Sequence, residues 1–221
     1  MADVYTVVGG ASGVGATGIT AGLGRLLADA GENVLLIDWD RSTPDLAARM
    51  GLRDPESTVR DLETGERSVV ESAYTGASGV RFIPGYPVDG SYPDDGRVDL
   101  SEVLDDLDGI DATVLIDTGD PSTPAAADAF EVSDGVVVVS TPDSTARRHD
   151  AVRQFLREDG HQPLGTVLSR VEETTPAADE PAKGVLARVP EVDNPRVLPG
   201  GSGDPRTDAY RRLADEIERI E

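Results

Sequence analysis

The chain has 221 residues and a formal charge of −22, from 42 acidic and 20 basic residues. It has no cysteine, which excludes disulfides and thiolate metal sites. No Lys/Arg cluster exists to neutralise phosphates, which excludes direct nucleic-acid binding through a basic face.

Of the basic residues, 19 are arginine and only Lys183 is lysine. The acids run along the whole chain, not in a tail. Such a global bias reads as adaptation to molar salt, where net charge keeps a protein soluble and its self-repulsion is screened. The competing reading is an acidic surface for cationic partners. No signal peptide and no apolar run of about 18 residues is present, so a cytoplasmic protein without an integral membrane segment is expected. His149 and His161 have no ligand spacing and read as surface residues.

In chain order, short apolar runs bounded by Gly, Pro and Asp predict strands at residues 4–8, 34–37, 80–83, 113–116, 135–140, 164–168 and 185–188. Most are apolar at consecutive positions, which suits a parallel sheet covered on both faces. Between the first two runs, Ile19, Leu23, Leu26 and Leu27 make one helical stripe that Gly31 ends. Further helices are predicted at 44–50, 100–107, 124–130, 145–158 and 208–220. The last is acidic and poor in aromatics, which argues for packing on the sheet over membrane attachment. Segments 84–97 and 172–183 read as solvated loops. The alternation gives βαβ units: one α/β domain over residues 1–221, with a doubly wound, mostly parallel sheet and helices on both faces.

Ligands of such sheets sit beyond the carboxyl ends of the strands. Six segments of this chain collect there: the loop from Gly9 to Thr17, Asp38-Trp39-Asp40, Asp117-Thr118-Gly119-Asp120, Thr141-Pro142-Asp143, Ser169-Arg170 and Val189-Pro190-Glu191. Taken singly, each is ordinary turn punctuation. The first is more specific. Gly10, Gly15 and Thr17 fit G-x-x-x-x-G-K-[ST] at every defined position but one, where Ala16 replaces lysine. The backbone N–H groups of a phosphate cradle are kept and its fixed charge is lost.

Together these segments resemble the MinD/ParA family of deviant Walker-motif P-loop ATPases, from about Val4 to Ile220. The family loop K-G-G-x-G-K-T-T aligns with Ala11-Ser12-Gly13-Val14-Gly15-Ala16-Thr17-Gly18. Residues 34–40 resemble its V-L-L-I-D-x-D strand, 115–118 its Walker B segment, and 136–143 the V-V-V-V-x-x-P-E stretch that follows. The resemblance implies ATP or ADP with Mg²⁺. It puts Gly10, the eight loop residues, Ser169, Arg170, Pro190 and Glu191 around the nucleotide. Thr17, Asp38 and Asp117 fall on the Mg²⁺ side, and Asp40 falls where the family orients the attacking water. Both signature lysines are absent, at Ala11 and Ala16. Gly18 replaces a hydroxyl residue and Ser169 an adenine-contacting Asn.

Removing one preorganised donor to a developing charge costs about 2.7–4 kcal/mol, or roughly 10²–10³ in rate. ATPase activity is therefore expected to be weak or absent. Arg41, adjacent to the aspartates, is the cation expected to approach phosphate in compensation. The function implied is nucleotide-linked association in intracellular positioning or partitioning, as a homodimer or a heterodimer with an active relative. A nucleotide-free scaffold is one alternative. The other is a short-chain-dehydrogenase-like NAD(P) binder, since Gly9 to Gly15 also fit G-x-x-x-G-x-G. Against it, the Tyr-x-x-x-Lys pair is missing, with Asp179 four before Lys183.

Overall fold

In the computed structural model, residues 2–86, 99–143, 146–172, 184–192, 199 and 203–219 are described, without the side chains of 146–150 and 218. Most of the two expected loops, Lys183, Thr145 and Ile220 lie outside these residues. The strands are β1 (Asp3–Gly9), β2 (Val34–Asp38), β3 (Tyr74–Thr75), β4 (Arg81–Ile83), β5 (Thr113–Gly119), β6 (Gly135–Ser140), β7 (Pro163–Val171) and β8 (Val185–Pro190). They form one sheet in the order β3-β4-β2-β5-β1-β6-β7-β8. Among the described strands, only β3 runs antiparallel, against β4. Dinucleotide folds place the second strand beside the first. Here β5 lies between β1 and β2, which counts against the dehydrogenase-like alternative.

The helices are α1 (Ala16–Ala30), α2 (Leu46–Arg49), α3 (Val59–Glu63), α4 (Val69–Ser72), α5 (Leu100–Asp105), α6 (Pro124–Glu131), α7 (Ala146–Glu158) and α8 (Thr207–Glu218). The continuous apolar runs resolve into two faces by simple alternation. Tyr5, Val7, Val34, Leu36, Leu115, Val137 and Val139 face a core closed by α1, α2 and α8. Val4, Leu35, Ile37, Val114 and Ile116 face α3, α4, α5 and α6. Val8, Val136 and Val138 meet Ala126 and Phe130 of α6 and Leu156 of α7.

Helix α8 contributes Tyr210, Leu213, Ala214 and Ile217 to the first core and packs on β8 and α1, as its composition suggested. Gly31 ends α1 at φ 99°, with its N–H on the Ala28 carbonyl and that of Glu32 on Leu27. His161 is half-buried, its ring 5.5 Å from that of Phe130, not a free surface residue. Among the described residues, no helix is long and apolar enough to cross a membrane.

Candidate functional site

The glycine loop joins the end of β1 to the start of α1. Gly15 caps α1 at φ 92°, and its carbonyl accepts from the Ile19 N–H at 3.0 Å. A side chain there would pay for a left-handed backbone. The first-turn N–H groups of an α-helix have no intrahelical partner, so the start of α1 offers donors and positive potential to an anion.

Two loop carbonyls are tied back to the end of β7. Ser169 Oγ lies 2.5 Å from the Val14 carbonyl and 3.2 Å from that of Ser140, and Arg170 Nη2 donates to the Gly13 carbonyl at 2.6 Å. Gly10 sits beneath the loop, its N–H on the Val139 carbonyl at 2.7 Å. Ala16 is buried, its methyl group packed with the core under α1 and forming part of the cavity wall.

Parallel register sets Asp38 beside Asp117 at the ends of β2 and β5. Both are fully buried. Asp38 has its oxygens engaged: Oδ1 accepts from the Asp40 N–H at 3.3 Å and Oδ2 from the Leu46 N–H at 3.0 Å, so it caps α2. Burial, and then the charge of Asp117, raise its pKa well above the usual carboxylate range.

Asp117 differs, because neither oxygen has a hydrogen-bond partner among the described residues. Burial pushes its carboxyl up to about 7. The Thr17 hydroxyl and then the Gly119 N–H favour the charged form from nearby, both short of full hydrogen-bonding geometry. Asp40 lines the cavity, and its carboxylate folds its own turn. Oδ1 accepts from the Ser42 and Thr43 N–H groups at 2.8 and 3.1 Å, and Oδ2 from the Thr43 hydroxyl at 3.0 Å.

Two cavities open at this rim. One, of about 640 Å³, is lined by the glycine loop, Thr17, Asp40, the 42–45 segment and Gly119 to Thr123. The other, of about 500 Å³, is lined by Gly18, Ile19, Ser169, Val189, Pro190, Glu191, Arg206 and Tyr210. Val14, Gly15, Arg49 and Arg170 belong to both, so the two adjoin. The first sits over the start of α1 and carries Thr17, Asp40, Thr43 and Ser122 on its walls. The second mixes apolar walls at Ile19, Val189 and Pro190 with the charged Glu191 and Arg206.

The structure thus gathers Ala11 to Gly18, Asp40, Ser169, Arg170, Pro190 and Glu191 around one cleft, with Asp38 and Asp117 beneath its floor. Sequence reasoning missed Arg49 and Tyr210, which carry no motif, and the constraint at Gly119. There φ is 68°, and an added Cβ would meet Asp40 Oδ2 at 2.3 Å.

Arg41 does not approach the cleft, contrary to expectation. Its guanidinium binds both carboxylate oxygens of the buried Glu63 and stacks on Trp39, 3.9 Å from the ring centroid. The side-chain alternation of β2 carries on past its end. Leu35, Ile37 and Trp39 belong to the core on the far face of the sheet, and Arg41 follows them.

This architecture has known counterparts. An uncharacterized ATP-binding protein of Methanocaldococcus jannaschii is 29% identical over 98% of this chain and 88% of its own. Among solved structures, the cell division ATPase MinD of Pyrococcus furiosus matches with a TM-score of 0.82 at 25% identity, covering 100% of both chains. The septum site-determining protein MinD of Pyrococcus horikoshii, complexed with Mg-ADP, matches at 0.84 and 24% identity, over 100% of this chain and 97% of that one. A family model for the CobQ/CobB/MinD/ParA nucleotide binding domain matches residues 5–194. With that match spanning most of the sequence, the chain belongs to the CobQ/CobB/MinD/ParA nucleotide-binding family.

Proposed function

We propose that this protein binds ATP or ADP with Mg²⁺ and hydrolyses ATP slowly or not at all, using the bound nucleotide to control association with a partner. The observation that carries the reading lies beneath the floor of the polar cavity. Asp117 is a buried carboxylate with two unpartnered oxygens beside the Thr17 hydroxyl, directly under the start of α1. An orphaned buried carboxylate is costly unless a cation or donor completes it. Mg²⁺ takes one or two protein ligands and fills its remaining positions with water and phosphate, which matches this sparse donor set. Thr17 and Asp117 would hold it, with Asp38 one step behind, committed to Leu46. When bound, the ion neutralises phosphate charge.

The chain's own residues do the rest. The loop and the first turn of α1 present N–H donors to the phosphates. Val14, Ile19, Val189, Pro190 and Tyr210 wall the nucleoside side. Asp40 stands where a water could be oriented. Ala11 and Ala16, however, place no cation against a developing terminal-phosphate charge, so hydrolysis lacks its main electrostatic stabilisation.

On this reading the protein acts in the cytoplasm of an extreme halophile, in intracellular positioning or partitioning. It pairs with itself or with a lysine-bearing relative, whose loop would supply the missing charge. Calorimetric titration in molar potassium chloride tests the binding claim. Saturable ATP–Mg²⁺ uptake without phosphate release supports it. A flat titration favours a nucleotide-free scaffold. Brisk phosphate release that Asp40→Asn abolishes would contradict the hydrolysis claim.

A further inference from the structure

Although the glycine loop carries no lysine, an arginine stands where the two cavities meet. Arg49 is the last residue of α2. Its Nε donates to Asp45 Oδ2 at 2.9 Å, which holds the guanidinium from behind. The other edge reaches across to α1. A Cβ added at Gly18 would lie 3.2 Å from Arg49 Nη1 and 3.6 Å from Cζ. The side chain is only 19% exposed, so its charge acts through little solvent. The guanidinium therefore lies against Gly18 in the first turn of α1, at the junction of the two cavities.

The absence of a side chain at Gly18 is thus the space beside which the guanidinium lies. Here the loop has no lysine and position 18 no side chain, and a guanidinium arrives from α2.

We propose that Arg49 is the polyphosphate-binding cation of this site, delivered from α2 in place of the loop lysine, and that Gly18 provides its clearance. This deepens the nucleotide reading and rests on it. A guanidinium offers a planar fork that matches two phosphate oxygens. Its place at the junction of the cavities puts it on the phosphates nearest the sugar, not on the terminal one. Such a cation tightens ATP and ADP alike and gives little help to terminal phosphoryl transfer. That fits a site that holds nucleotide and does not turn it over.

The test is calorimetric titration of ADP–Mg²⁺ and ATP–Mg²⁺ into the full chain and three variants in molar potassium chloride. Arg49→Gln is expected to weaken both nucleotides by about tenfold to a hundredfold, the range for a charge-assisted hydrogen bond. Arg49→Lys, which keeps the charge, should recover part of the lost affinity, whereas a purely structural role would show as a change in thermal midpoint with affinity within about twofold of the parent. Gly18→Thr should also weaken binding, because its Cβ crowds the guanidinium. Binding within about twofold of the parent in Arg49→Gln, or tighter binding in Gly18→Thr, overturns the role of Arg49 and leaves the nucleotide reading standing. A parent protein that takes up neither nucleotide overturns both.

Discussion

The loop after β1 supplies backbone and no charge, whereas the segment after β2 supplies charge and little backbone. The first keeps the left-handed Gly15, the open start of α1 and Thr17, with alanine at both expected lysines. The second carries two arginines with opposite fates. Arg41 stacks on Trp39 and binds Glu63 on the far face of the sheet, while Arg49 reaches the mouth of both cavities. The lesson is that distance along the chain from the aspartates does not decide which cation serves the site. The parity of the strand sends Arg41 away, and the docking of α2 against α1 brings Arg49 in.

The largest expected effect lies between these two regions, at Asp117. Its carboxyl is raised to about 7 by burial. The folded protein therefore holds a proton that the unfolded chain has released, and stability falls as pH rises from about 4 through about 7. The contribution is on the order of 2–4 kcal/mol. Asp117→Asn should remove that part of the slope, as read by denaturant unfolding at pH 5 and pH 8.5. Part of the slope should survive through Asp38, whose pKa is raised in the same direction. An unchanged slope would mean that Asp117 is ionised throughout.

Next comes the far-face pair. Glu63→Ala removes the buried carboxylate that binds the Arg41 guanidinium, itself 11% exposed. A loss of about 3 kcal/mol is expected in thermal unfolding, with nucleotide affinity unchanged. A matching loss of affinity would return Arg41 to the site and erase the contrast with Arg49. Gly119→Ala forces a methyl group against Asp40 at a left-handed backbone. About 2 kcal/mol should be lost in the same assay. Smallest is Ala16→Lys. It restores the loop cation and should tighten ATP about tenfold by calorimetry. No gain would mean that the shape of the loop is lost along with its charge.

Much of this was legible in the sequence. Long Val/Ile/Leu runs gave seven strands, because a buried parallel strand needs apolar residues on both faces. The rim residues followed from Gly, Asp and Pro at strand ends. The two-residue β3 was too short to show, and so were α3 and α4, although both helices begin with capping boxes, Thr58 with Asp61 and Ser68 with Glu71. The direction of Arg41 is itself written in the sequence, since Ile37, Trp39 and Arg41 share one side by period two. Arg49 was out of reach of such reasoning. Its direction depends on how a four-residue helix docks, and on the missing side chain at Gly18, and neither is a local property.

The proposed site is a cradle that holds its nucleotide without hydrolysing it. The direct measurement is to incubate the pure protein with ATP–Mg²⁺ in molar potassium chloride, separate the complex by rapid gel filtration, and identify the bound nucleotide. Intact ATP carried with the protein is the expected result. Recovery of ADP with released phosphate, or of protein without nucleotide, would contradict the account.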